Sequence, residues 1–130
     1  MKVISIDIGG KKQHLMYNGE AMFELRDKFG TVSELLEKLK EDTRESFNIA
    51  CEAVAIMAEQ GELARRYVGH TPEDFLTADV IKQVIQPLEI VDLKMIIPRV
   101  ITLGFNREIN KENEDEIDLG LEELNQKKTT

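Results

Sequence analysis

The stretch that decides the fold is Thr43–Gln60, Thr-Arg-Glu-Ser-Phe-Asn-Ile-Ala-Cys-Glu-Ala-Val-Ala-Ile-Met-Ala-Glu-Gln. Phe47, Ala50, Cys51, Val54 and Met57 recur at helical spacing and form one apolar stripe, while Ile49, Ala53 and Ile56 form a second. A helix that is apolar on two faces must be covered on both, so this element belongs at the centre of the domain. Asp42 is placed to cap it, with Glu45 three residues on, and Gly61 is its expected stop.

Upstream, two more helices are expected. Glu20–Phe29 puts Met22, Leu25 and Phe29 on one face and ends at Gly30. Thr31–Lys40 opens with Thr31 and Glu34 at capping-box spacing and carries Val32, Leu35, Leu36 and Leu39 at i, i+3, i+4, i+7. Before them the period changes from helical to two. Ile4, Ile6 and Ile8 point one way and Val3, Ser5 and Asp7 the other. Gly9-Gly10 supplies the positive φ angles of a tight reversal, and Gln13–Tyr17 returns. Residues 1–17 therefore read as a β-hairpin, which needs the helices or another strand to be stable.

Downstream, Glu62–Val68 reads as a short separate helix, and Thr71-Pro72-Glu73-Asp74 as another helix start. Ala78–Gln86 continues with Val80, Ile81, Val84 and Ile85 until Pro87. Leu88–Phe105 is long and apolar, with Pro98 inside it. It reads as a kinked helix, with a strand around Met95–Ile97 as the rival, because a short β-branched run does not settle its own period. From Arg107 the composition changes to eight acids against four bases, with few large apolar residues. The expectation is an α+β, mostly α chain. Residues 1–106 form one globular domain, a hairpin followed by a bundle of five to six helices, and 107–130 form an acidic, disordered tail.

The composition narrows the function. A net charge of −8 repels nucleic-acid phosphate and anionic lipid and suits a basic or amphipathic protein partner. Cys51 is the sole cysteine, so no internal disulfide forms. Nothing approaches the roughly 18 apolar residues of a membrane span, and Met1–Ile8 lacks the regions of a signal peptide, so a cytoplasmic protein is expected. Catalytic, cofactor and metal motifs are lacking. His14 and His70 have no helical partner or nearby cysteine and read as surface histidines. Cys51 reads as a buried structural thiol. Gly9-Gly10-Lys11-Lys12 lacks the spacing of a phosphate loop, and Glu62, Arg65 and Arg66 read as a solvated face.

The order of these features carries a resemblance. A glycine-bearing hairpin leads into Met22-Phe23-Glu24-Leu25-Arg26-Asp27-Lys28-Phe29-Gly30. The Leu-rich helix Leu35-Leu36-Glu37-Lys38-Leu39, the Ala-rich helix Ala50–Ala58, the entry Leu76-Thr77-Ala78 and a long apolar final helix follow. Over residues 1–106 this resembles the tail assembly chaperones of long-tailed bacteriophages and prophages of Gram-positive hosts. Pro98 and the acidic tail depart from the pattern. The resemblance implies a non-enzymatic, cytoplasmic, oligomeric protein that binds the tape-measure protein, helps recruit tail-tube subunits and needs no cofactor. It also implies a longer product made by frameshifting, for which Gln126-Lys127-Lys128 offers codons with an A-rich slippery heptamer. Met22, Met95, Leu121 and Leu124 are the expected client contacts, the methionines for their adaptable packing. Val3, Ser5 and Asp7 mark the strand edge expected to self-associate. The alternative is an acidic inhibitor or antitoxin-like protein that masks a basic partner.

Overall fold

The computed structural model describes residues 2–106 and the backbone of 116–118. Strands β1 (Lys2–Ile8) and β2 (Lys11–Leu15) form an antiparallel hairpin in which Ser5 lies opposite His14 and Asp7 opposite Lys12. Gly9 and Gly10 turn it with φ of 57° and 78°, values open to glycine at little cost. Helices α1 (Gly19–Phe29), α2 (Val32–Leu39), α3 (Arg44–Tyr67), α4 (Ala78–Val84) and α5 (Pro87–Phe105) follow. The fold class read from the sequence is the one observed, with five helices among the described residues. A third strand, β3 (Glu116–Asp118), pairs antiparallel with β1 and gives the sheet order β2-β1-β3. The remainder of the C-terminal segment expected to be a disordered tail lies outside the described residues.

The helix starts are set by short polar side chains. Asn18 Oδ1 accepts from the Ala21 N–H at 2.9 Å, Thr31 and Glu34 complete the expected capping box, and Thr77 caps α4. Thr43, rather than Asp42, caps α3, its hydroxyl accepting from the Ser46 N–H at 3.0 Å. Pro87 occupies the first turn of α5, where its missing N–H costs nothing, and the helix runs through Pro98. The helical alternative at Met95–Ile97 is thus the one realised.

Two expectations fail for identifiable reasons. Gly61 does not end α3: the helix continues to Tyr67 and absorbs the predicted short helix at Glu62–Val68. A methyl group at Gly61 would lie 1.7 Å from the His14 carbonyl oxygen, so glycine is there to let β2 pass against the helix backbone. The helix predicted from Thr71 also does not form, and α4 starts at Ala78. In 71–76 the backbone groups are taken by side chains instead. The Glu73 and Leu76 N–H groups donate to Glu62 and Gln13, and the Thr71 and Glu73 carbonyls accept from Arg65 and Arg66.

Helix α3 is central, as its two stripes require. It packs against β2, α1, α2, α4 and α5. Ile4, Ile8, Leu15, Val54, Met57, Ile81, Leu93 and Ile97 are fully buried in one cluster. Val3 points to the opposite face of the sheet, where it joins Met16 and Ala64 in a smaller cluster. Among the described residues no helix is long and apolar enough to cross a membrane.

Candidate functional site

Helix α5 carries two distinct surfaces. Leu93, Ile96, Ile97, Val100 and Ile101 face the core. Leu88, Val91 and Met95, at i, i+3 and i+7, fall on the opposite side at about 100° per residue. They are 84%, 55% and 68% exposed. This is a contiguous apolar stripe of large side chains directed at solvent. Met95, an expected client contact, sits within it. Met22, the other methionine singled out, is half-buried against the core and offers little surface. Leu121 and Leu124 lie outside the described residues. Leu88 and Val91 were missed as contacts because Leu88–Phe105 is apolar nearly all round, a pattern that ordinarily means burial on every side.

A groove of about 250 Å³ runs between β1 and the start of α5. Ile6, Ile8, Ile85, Leu93 and Ile96 supply its apolar wall, and Asp7, Glu89 and Asp92 supply acidic groups. Successive side chains of a strand point to opposite faces. A cavity that touches Ile6, Asp7 and Ile8 together therefore follows the edge of β1. The other edge of β1 is occupied by β2, so the groove lies on the side where β3 pairs.

Among the described residues, strand β3 pairs with β1 over Lys2–Ile4, with Val3 opposite Ile117. The edge expected to self-associate is thus divided. Val3 is fully buried and already paired, Ser5 is half-buried, and Asp7 is exposed. Self-pairing through Ser5–Ile8 would also bring two copies of Asp7, Glu89 and Asp92 together, all of one sign, which opposes the expected homo-oligomer at this edge.

A second polar cluster lies on the other face of the sheet. Glu62 is 2% exposed. Its carboxylate accepts from Arg65 Nη1 at 2.6 Å, Arg66 Nε at 2.8 Å and the Glu73 N–H at 2.8 Å. Burial pushes Glu62 up, but the Glu73 N–H and the two arginines outweigh it and hold its carboxyl below the ordinary value of 4.5. His14 joins the cluster, with Nε2 3.0 Å from Glu73 Oε2 and Nδ1 2.9 Å from Ser5 Oγ. These findings correct the sequence reading on two counts. His14 is 8% exposed, not a surface histidine, and Glu62 is a buried ion-pair centre, not part of a solvated face. The spacing i, i+3 and i, i+4 from Glu62 to the arginines was visible. The approach of His14 and Glu73 from distant segments was not.

The same cluster poses two chemical possibilities. Ser5, His14 and Glu73 are hydrogen-bonded in series, in the order hydroxyl, imidazole, carboxylate. His14, Glu62 and Glu73 bring ligand atoms within 4.8 Å of one another. Yet both oxygens of Glu62 are filled by guanidinium and N–H donors, and Glu73 Oε2 is also held by Arg65 Nη2 at 2.8 Å. A cation entering here would have to displace two fixed positive charges. The arrangement therefore acts as a clamp that ties segment 71–76 to α3 and the sheet. Cys51 is buried, and burial pushes its thiol up to about 11, opposite to the activation a nucleophile requires.

Compared with models of protein families, with curated proteins and with solved structures, the chain matches none.

Proposed function

We propose that the protein is a non-catalytic binding protein of the tail-assembly-chaperone type, holding an amphipathic helix of a tape-measure protein against the outer face of α5. The observation that supports this reading is the stripe Leu88, Val91, Met95. A fold with a well-filled core would gain by placing polar residues there, and large apolar groups presented together suit an apolar partner face. A tape-measure chain is long and helical, so many weak contacts along it add by avidity, and an adaptable Met95 suits successive, unequal sites. Tail-tube subunits are the second partner that this reading implies.

The test is co-expression with a tape-measure protein of a long-tailed phage. The native protein is expected to keep that product soluble and to co-purify with it. The triple variant Leu88→Gln, Val91→Gln, Met95→Gln should lose the client while its own thermal unfolding is unchanged within a few degrees. Retention of the client by the triple variant would remove α5 as the docking face. Recovery of a single basic enzyme or toxin in place of a helical client would replace the chaperone reading with that of an acidic inhibitor.

A further inference from the structure

Leu88, Val91 and Met95 succeed one another at intervals of three and four residues, the spacing of the seam along which one helix pairs with another. The residues beside a seam decide which helix pairs with it. Asp92 borders this one on one side and Lys94 on the other, while Arg99 lies two turns beyond Asp92 and past the end of the stripe. The Lys94 ammonium is already held, donating to the Glu41 carbonyl at 2.9 Å. Asp92 is exposed and, among the described residues, makes no hydrogen bond or ion pair. Glu89, one turn before it, and Asp7, across the groove, carry the same sign.

Two occupants of the stripe are disfavoured by what borders it. A second copy would meet it with three side chains, against the roughly 20–30 residues a side of a stable dimer. Paired antiparallel with the two stripes in full overlap, two copies set Asp92 beside Asp92; paired in parallel, they set Lys94 beside Arg99. The chain's own residues 107–130 hold eight acids against four bases, which is the sign of Asp92 and Glu89.

We propose that the helix received by α5 is apolar along one seam and carries lysine or arginine on the flank that meets Asp92, so that the protein selects basic amphipathic segments of its client. This rests on the reading of α5 as the docking face and adds what that face chooses. Contact with Leu88, Val91 and Met95 supplies the hold, and the unpaired carboxylate beside them supplies the choice. Glu89 and Asp7 deepen the negative field at Asp92 without having to touch the partner. An acidic helix with the same seam is turned away by all three.

The experiment uses the full chain and three peptides of two to three heptads, each stapled on its outer face to hold it helical. All have leucine along the seam; the flanking positions are lysine in one, glutamine in the second and glutamate in the third. Each is titrated at concentrations where it is monomeric. The lysine peptide is expected to bind tightest and the glutamate peptide on the order of tenfold more weakly, with the gap narrowing in high salt. Asp92→Lys, at an exposed helical position, should keep the parent's melting temperature and reverse the order. Equal binding of the three peptides, or an order that Asp92→Lys leaves unmoved, overturns the charge selection; if the Leu88, Val91, Met95 triple variant still loses all three, α5 stands as the docking face without it. Binding that survives the triple variant, or no binding of any peptide to the parent, removes the docking face as well. Peroxide oxidation of Met95, read by mass spectrometry on the tryptic fragment 95–99, checks the other occupants. Oxidation is expected at nearly the rate of the unfolded chain and should slow when the lysine peptide binds. A Met95 already protected in the free chain overturns the proposal, in favour of a second copy when protection grows with protein concentration and of the chain's own C-terminal segment when it does not.

Discussion

Replacing Gly61 by alanine sets two physical effects against each other in a way that tests the architecture. Gly61 lies inside a continuous helix, where alanine is favoured over glycine by about 1 kcal/mol. On that ground alone the substitution would stabilise the protein. The structure demands the reverse. The new methyl would stand 1.7 Å from the His14 oxygen, 2.6 Å from the His14 carbonyl carbon and 3.2 Å from the Leu15 nitrogen, all backbone atoms that cannot rotate away. Ordinary contact is regained only if β2 retreats from α3 by roughly 1.5 Å. That movement breaks the Met16–Met57 hydrogen bond, worth about 1 kcal/mol, and disturbs the buried packing of Leu15, at about 1–3 kcal/mol. Setting the helical gain against these losses leaves a net destabilisation of about 2 kcal/mol, a large share of the roughly 5–15 kcal/mol of a typical domain. Urea unfolding followed by circular dichroism reads it as a midpoint lowered by about 1 M with an unchanged slope. Gly19→Ala is the control, since Gly19 is the first residue of α1, where the helix-interior preference for alanine is weaker, and has nothing within 4 Å of an added methyl; its unfolding free energy should stay within about 0.5 kcal/mol of the parent. A midpoint raised by Gly61→Ala would refute the close passage of β2 over α3 and reopen that sheet edge.

Three further outcomes follow from the caps and the buried groups. Thr43→Ala should cost about 1 kcal/mol, and Asp42→Ala only a few tenths, in the same unfolding assay; the reverse ranking would move the cap to Asp42. Glu62→Gln leaves two guanidinium groups without a carboxylate and should cost about 2 kcal/mol at pH 7, less than a fully enclosed pair because the Arg66 side chain is partly exposed. The native carboxyl is held below 4.5, so its contribution is complete above that pH and is lost as pH falls through its folded value. Melting temperatures of the parent and Glu62→Gln should therefore converge between pH 4.5 and pH 2, and a gap that persists at pH 2 would place the effect in packing rather than charge. Cys51, with its thiol raised to about 11, should react with a disulfide reagent at pH 8 only at the rate of global unfolding, and rapid labelling of the native protein would contradict its burial.

The fold was legible where local chemistry and tertiary demand agree. The double stripe of α3 announced a central helix, Thr31 with Glu34 announced a cap, and alternation around Gly9-Gly10 announced the hairpin. It was misread where a residue's meaning comes from a distant segment. Gly61 is a helix breaker by local rules, yet its role is set by a strand some 45 residues earlier. Thr71-Pro72-Glu73-Asp74 has every mark of a helix start, but its backbone groups are bound by Glu62, Arg65 and Arg66, and Gln13 holds the Leu76 N–H just beyond it. Strand β3 rests on three residues in an otherwise polar stretch, too short to show a period. The candidate surfaces divide in the same way. Met95 and Asp7 were visible as single residues. That Leu88 and Val91 flank the first, and that Glu89 and Asp92 face the second across a groove, depends on the rotation of α5 about its axis, which an all-round apolar sequence leaves open.

Asp7 is the residue on which the self-association expected of the β1 edge turns. A short, unpaired strand edge invites association with other edges, and a charge on it is a common guard. An antiparallel dimer formed through Ser5–Ile8 places the two Asp7 carboxylates within one or two residue steps of each other, and like charges near 5.5 Å repel by about 1–3 kcal/mol at effective dielectric constants between those of water and a protein surface. Asp92 and Glu89 add to this repulsion. Asp7→Val removes the guard and adds β-propensity, so it should tighten self-association by one to two orders of magnitude, read as a concentration-dependent rise in mass by light scattering that the parent does not share. High salt should narrow the difference, since screening also relieves the parent. A variant that keeps the parent's mass at every concentration would mean that the backbone of Ser5–Ile8 is not available for pairing.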